Sequence, residues 1–400
     1  MRRLLGFIII ITLAFVVLTS EPEDIRQTDT ESTGPQVLRL WGVYDLPEVY
    51  DPIIQSFQKK YPNSEVEYKQ FSNFQEYDSI LRQQLERGKG PDVLLFQDHD
   101  REYYKQHLLA TNAEAANGFA DFVQQDLVDN GLLYGLPLWA DTLVLYYNKN
   151  YYPEGIQKNW HGFAKQTAEI SIPGMAMGRL DNLHSAWDII RALFVQKNVI
   201  LSGKTSNEAY DALEFFLRFG YPIDEYYNWS SNLGDKYPEK ERESFARKKV
   251  AAIAGFSPVY DQIGFMGEDL RNQNLRHTKK ADIGVASFPQ FSEEKPKYLG
   301  KYVAVGVSLY SKSPNLAWEF IKNMTSQDNA EYFSAATGRI PGRTIPAKES
   351  DSELQRIQKS QIQHVHTFHI LPDQISALIP FFEKALKDRS LLREIMELSW

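Results

Sequence analysis

GLPLWADTLVLYYNK, residues 135–149, sets an indole and a carboxylate at the head of an apolar strand. An ionised side chain in a buried strand is strongly unfavourable unless something outside the strand uses it. Trp139 and Asp141 therefore point to a binding cleft at the beginning of that strand.

Upstream, apolar runs and helical spacings alternate. Residues 37–41 read as a strand, and Leu46, Val49, Ile53 and Phe57 then recur at helical spacing, with Asp45 placed to cap the helix before Pro47. Val66, Tyr68 and Gln70 alternate with charged neighbours as a second strand, and Phe74, Tyr77, Leu81 and Leu85 mark a second helix. DVLLF at 92–96 is a continuous apolar run of the buried-strand kind. This alternation predicts a parallel sheet with right-handed crossovers, whose ligands sit beyond the carboxyl ends of the strands. Three clusters fall at such ends: 41–45, 97–101 and the head of the 139–148 strand.

Downstream of Asn148 the pattern changes to helical segments at 182–195, 206–219 and 239–249, interleaved with strands at 250–254 and 283–288. A further strand at 302–310 precedes Ser313 and Pro314, a cap and first-turn pair, and Gly338 ends the helix that follows. The expected fold is α/β in two lobes, each a mostly parallel sheet flanked by helices, joined by hinge crossings. Residues 37–144 with 302–337 form the first lobe of this reading, and 145–301 with 338–400 the second.

With 400 residues, of which 43% are hydrophobic, the chain is long enough for two cores. A net charge of -8 and no basic run longer than RKK at 247–249 argue against a nucleic-acid partner. Met1, Arg2 and Arg3 precede an apolar run at 4–18, the layout of a secretory signal; residues 1–20 are read as a signal peptide or an uncleaved membrane anchor. Residues 21–36 are polar and acidic, the composition of a tether, and the absence of cysteine leaves neither a disulfide framework nor a lipid-modified cysteine. Export to the cell surface or periplasm follows, as a monomer.

The chain carries no GxSxG elbow, Walker A loop, GxGxxG, HExxH or cysteine nucleophile, which weakens the common enzyme classes. No cofactor or metal is expected. His364, His366 and His369 in HVHTFH have strand spacing but no acidic residue or thiol within the run, so they read as packing or surface histidines. In FQDHDREYY, Asp98, Asp100 and Arg101 directly follow a buried strand, where carboxylates and a guanidinium suit hydroxyl recognition. The plainer alternative is a helix start with acidic residues. Trp41 is either a cleft platform or a strand-end core residue, and Arg339 and Arg343 flank the GRIPGR return.

Six blocks in order, LRLWG at 38–42, GKGPDVLLF at 88–96, HDR at 99–101, LPLWADTLVLYYNK at 136–149, AAIAGFSPVYDQI at 251–263 and SPNLAWEFIKNMTS at 313–326, carry a resemblance. The chain resembles the family 1 extracellular solute-binding proteins of ABC importers, the group that includes the maltodextrin binders. The resemblance implies a two-lobed periplasmic-binding-protein-like fold that closes on its solute and presents it to permease subunits. It also implies that Asp141, and Asp100 with Arg101, match residues that bind sugar hydroxyls, that Tyr260 lies near a stacking aromatic, and that Asp181, Asn182 and Trp187 line the cleft. Gln97, and Leu378 with Ile379, stand where aromatic platforms occur in the maltodextrin binder, which argues against a long maltodextrin.

A carbohydrate-binding protein of an ABC importer is the favoured reading. A glycoside hydrolase using Asp100 and Asp141 would need its carboxylates about 5–9.5 Å apart. The third reading keeps the fold and changes the solute to a peptide, a polyamine or ferric ion.

Overall fold

The computed structural model describes residues 34–180, 183–201, 205–228, 240–370 and 372–397. Two hydrophobic cores and two main sheets organise them.

In the first sheet β1 (Gln36–Val43) pairs in parallel with β2 (Ser64–Phe71) and β3 (Val93–Gln97). The helix Pro47–Lys60 crosses from β1 to β2, burying Tyr50, Ile53 and Phe57, and stops before Pro62. Asp45 is not its cap: Leu46 takes the cap position without a side-chain bond, and Asp45 turns away to pair with Arg339. The helix Phe74–Glu86 crosses from β2 to β3, starting where the Asn73 side chain accepts from the Glu76 N–H at 2.9 Å. It buries Tyr77, Leu81 and Leu85, spaced at successive turns of one face.

β4 (Leu136–Thr142) holds the opening sequence block, and β5 (Val144–Asn148) follows it after one residue. β4 joins the first sheet by pairing antiparallel with a long strand close to the chain's carboxyl third, whereas β5 is the middle strand of the second sheet. Its neighbours are β6 (Ala252–Gly255) and β7 (Ile283–Ser287), both antiparallel to it. The expectation of a mostly parallel second sheet is thereby corrected. β5 enters from β4 heading away from the first sheet, while β6 and β7 both run the other way, with the helix Pro258–Asn272 carrying the chain between them.

The long strand is β8 (Tyr298–Ser308), which pairs with β3 and β4 and, at its first two residues, in parallel with β9 (Val365–His366). In this register Lys301 lies opposite Asp141 and Gly300 opposite Thr142. The second core is filled by β5, β6 and the helices Ala186–Lys197, Asn207–Arg218 and Pro372–Ala385; Leu143 and Leu299 belong to it, while Ala140, Tyr302, Ile362 and Val365 belong to the first. Stretches of chain at 140–143, 299–302, 357–362 and 365–368 thus pass between the cores, the first two paired with each other and Tyr298 and Leu299 paired with Val365 and His366. Ser313 and Pro314 start the helix Pro314–Met324, and Gly338, with φ +74°, ends the helix Gln327–Thr337.

Candidate functional site

Trp139 lies on β4, half-buried, with the Arg339 guanidinium 5.3 Å from its ring centre. Arg339 is held in turn by Asp45, Nη1 to Oδ2 at 2.6 Å, and Asp45 is nearly enclosed at 8% exposure. The Asp45 carbonyl accepts from the Tyr68 hydroxyl at 2.7 Å. An apolar ring beside a guanidinium fixed by a buried carboxylate offers a C–H platform and oriented N–H donors together. Tyr44, the residue before Asp45, is 49% exposed with φ +70°, a left-handed conformation unusual for a non-glycine residue. Its ring meets the Phe74 ring edge-on at 5.6 Å. Tyr44 and Asp45 both lie in the 41–45 cluster that the sequence places at a strand end, although the local pattern assigns Asp45 to a helix cap and does not single out Tyr44.

Trp41 sits one turn of the pleat back on β1, packed on Phe71 at 5.2 Å with the Lys69 ammonium 4.6 Å from both rings. Phe71 leads on to Tyr77 of the adjacent helix at 5.3 Å, so Trp41 is part of a packed aromatic row.

At the end of β3, Asp98 is buried, and its backbone carbonyl accepts from Arg101 Nη1 at 3.4 Å. Hydrogen bonding to Asp98 raises the His99 pKa, while His369 approaches Asp98 at 3.8 Å and has its pKa lowered by burial. Asp100 faces elsewhere: it accepts from Arg82 Nη2 at 2.7 Å, and Arg82 also binds Asp78 at 2.7 Å. That carboxylate closes an ion network between the Phe74–Glu86 helix and the Arg101–Lys105 helix. Arg101 lines a pocket of about 220 Å³ with Lys105, Asp126, Asp129 and Tyr134.

Asp141 is 5% exposed, and both its oxygens are engaged. It accepts from the Ser257 N–H at 3.1 and 3.2 Å, from Ser257 Oγ at 2.7 Å and from Gln358 Nε2 at 2.6 Å. Burial raises its pKa above the ordinary value, against the opposing pull of Lys301 and of these hydrogen bonds. Tyr260, one turn along the helix that Ser257 precedes, is half-buried with its ring 6.1 Å from Tyr146 and the Lys280 ammonium 5.4 Å away. Arg343 donates to the Thr325 carbonyl at 2.8 Å and the Asn117 carbonyl at 3.4 Å and lies over Phe119; it braces loops of the first lobe.

Trp187 borders a larger pocket of about 570 Å³ in the second lobe, together with Arg179, Leu180, Ile379, Phe382 and Leu386. Gly178, the residue before Arg179, has φ +101° and packs so close to the Gly220 backbone that a Cβ would clash there. Asn182 and Asp181 lie outside the described residues. The candidate residues thus fall into separate groups: Trp139 with Arg339 and Asp45, Asp98 with Arg101, Asp141 with Ser257 and Gln358, and Trp187 at its own pocket.

The profile of the bacterial extracellular solute-binding proteins matches residues 45–331, and the chain belongs to that family. Maltodextrin-binding protein MdxE of Bacillus subtilis (strain 168) is 23% identical over 378 residues, covering 90% of this chain and 85% of its own length. A cyclo/maltodextrin-binding protein solved with maltotetraose matches with a TM-score of 0.67 at 18% identity, over 93% of this chain and 100% of that one. An ABC transporter solute-binding protein from Thermotoga lettingae TMO, bound with α-D-tagatose, matches with a TM-score of 0.60 at 21% identity, over 90% and 98%. The fold is that of the two-lobed α/β binding proteins, and the relatives bearing it include two maltodextrin-binding proteins and a tagatose-bound ABC transporter solute-binding protein. Among the described residues no helix is long and apolar enough to cross a membrane.

Proposed function

We propose that this chain captures a mono- or oligosaccharide between its two lobes outside the cytoplasm and delivers it to the permease subunits of an ABC importer. It works as a monomer, released or held at the membrane through residues 1–20 with 21–36 as tether. The lobes divide where the chain passes between the cores, near residues 140–143, 299–302, 357–362 and 365–368.

The observation that carries the reading is the Trp139–Arg339–Asp45 group, an aromatic face beside anchored donors on the strand that leads from one lobe to the other. A sugar ring presents an apolar C–H face and a rim of hydroxyls, and this group matches both. Tyr44 and the pocket beside Trp187 supply further surface. Gln97 and the aliphatic Ile379, which lines that pocket, favour a short saccharide over a long chain, since neither offers a stacking plane. The hydrolase reading is less well supported: Asp100 is committed to Arg82, and Asp141 to Ser257 and Gln358.

A thermal-shift screen of the full chain against glucose, maltose, maltotriose, raffinose and tagatose tests the proposal. Ligand binding to the folded form raises its melting temperature, and Trp139→Ala is expected to abolish the rise for the sugar that produces it. Equal rises in wild type and Trp139→Ala would sink the site assignment; a rise with polyamines, peptides or ferric citrate in place of sugars would sink the solute class.

A further inference from the structure

Where β4 leaves the first core, two consecutive residues are fastened to the second lobe and the third passage. Asp141 takes the three Ser257 bonds and the Gln358 bond described above, and Gln358 Nε2 also reaches the Thr142 carbonyl at 3.2 Å. Gln358 and Ser257 bond one another as well, Nε2 to Oγ at 3.0 Å, while the Thr142 hydroxyl donates to Gln361 Oε1. Thr142 and Gln361 have no exposure and Gln358 has 1%. Lys301, opposite Asp141 on β8, lies 4.1 Å from the Phe256 ring, so the second passage reaches the same spot.

Ser257 precedes the Pro258–Asn272 helix of the second lobe, and Gln358 and Gln361 belong to the helix Glu353–Gln361 that leads into the third passage. A rotation of one lobe against the other must bend the chain between Asp141 and Leu143, and it therefore acts directly on these bonds. Every acceptor site used by Asp141 is filled from the lobe that moves or from the neighbouring passage. Oδ1 accepts three of these bonds and Oδ2 only the shared Ser257 N–H, and at 5% exposure the carboxylate is turned into the passage and away from solvent.

We infer that Asp141, with Ser257 and Gln358, forms a positioning cluster that sets the resting angle between the lobes, an inference that rests on the closure of two lobes on a solute proposed above. Apparent affinity scales with the fraction of molecules at the binding-competent angle, so the cluster acts on solute capture from outside the contact surface. The resting angle can be measured in the solute-free chain.

The chain has no cysteine, so spin labels can be placed at Gln83→Cys on the first lobe and Glu268→Cys on the second, both exposed. Pulsed electron–electron distance measurements on the solute-free full chain should give one narrow distribution with the wild-type cluster. Ser257→Ala and Gln358→Leu, each confirmed folded by circular dichroism, should shift the distribution or at least double its width. Asp141→Asn, nearly isosteric, is the variant least prone to misfold and should move the distribution in the same direction. An unchanged distribution in all folded variants, with only a lower melting temperature, overturns the inference. So does loss of sugar binding in Asp141→Asn with the distribution unchanged, which would make Asp141 a direct contact.

Discussion

Trp139 and Asp141 are two residues apart on one strand, and the structure gives them different work. Trp139 keeps part of its ring accessible beside Arg339; Asp141 is enclosed and spends its oxygens on Ser257 and Gln358. The sequence marks both as out of place in an apolar run, because that inference needs only local contrast. It does not tell which of them faces solute, because the partners of Asp141 lie 116 and 217 positions away. Asp45 follows the same logic: the local rule assigns it to a helix cap, and a partner 294 positions distant claims it. The folded pKa of Asp141 is raised, so the folded chain holds a proton there more tightly than the unfolded chain does. Its contribution to stability is therefore greatest below the ordinary value of 3.8 and declines as pH rises through and above that value. Urea midpoints of wild type and Asp141→Asn, compared at pH 4 and pH 7, should show the wild type losing ground to the variant at the higher pH. A difference independent of pH would contradict the burial effect.

At the scale of elements, helices and parallel strands of the first lobe were readable because one period or one apolar run decides each of them. Tyr77, Leu81 and Leu85 fix a helix face, while its start at Asn73 is seen in the structure. Asn73→Ala removes the cap to Glu76 and should lower unfolding free energy by about 1 kcal/mol, measured by chemical denaturation. Loss of less than a few tenths would mean that water replaces the cap without penalty. The second sheet was misjudged in direction because a strand's orientation is not encoded in its own residues. β6 and β7 carry the same small and branched apolar residues whether they run with β5 or against it. Their direction comes from how the chain enters at β4–β5 and from the helix between them.

Across the whole molecule, two lobes with separate cores meet at a narrow set of passages, and acidic and imidazole groups cluster nearby. The His369 pKa is lowered by burial, so protonation favours the unfolded chain. The stability this histidine supports is present above its ordinary value of 6.5 and is lost as pH falls below it. His369→Gln should thus lose less stability than wild type between pH 7.5 and pH 5.5 in denaturant titrations; an equal loss would place the acid sensitivity elsewhere. His99, whose pKa is raised, has the opposite sign, and for that reason the single-site variant is the informative one.

The most direct test of sugar capture in a cleft built at Trp139 is calorimetric titration of the full chain with glucose, maltose, maltotriose and maltotetraose. Saturable binding to at least one of the shorter members is expected, with no gain from maltotriose to maltotetraose and at least a tenfold loss in both Trp139→Ala and Arg339→Ala. Binding that strengthens steadily with chain length and survives both substitutions would rule out sugar capture at Trp139.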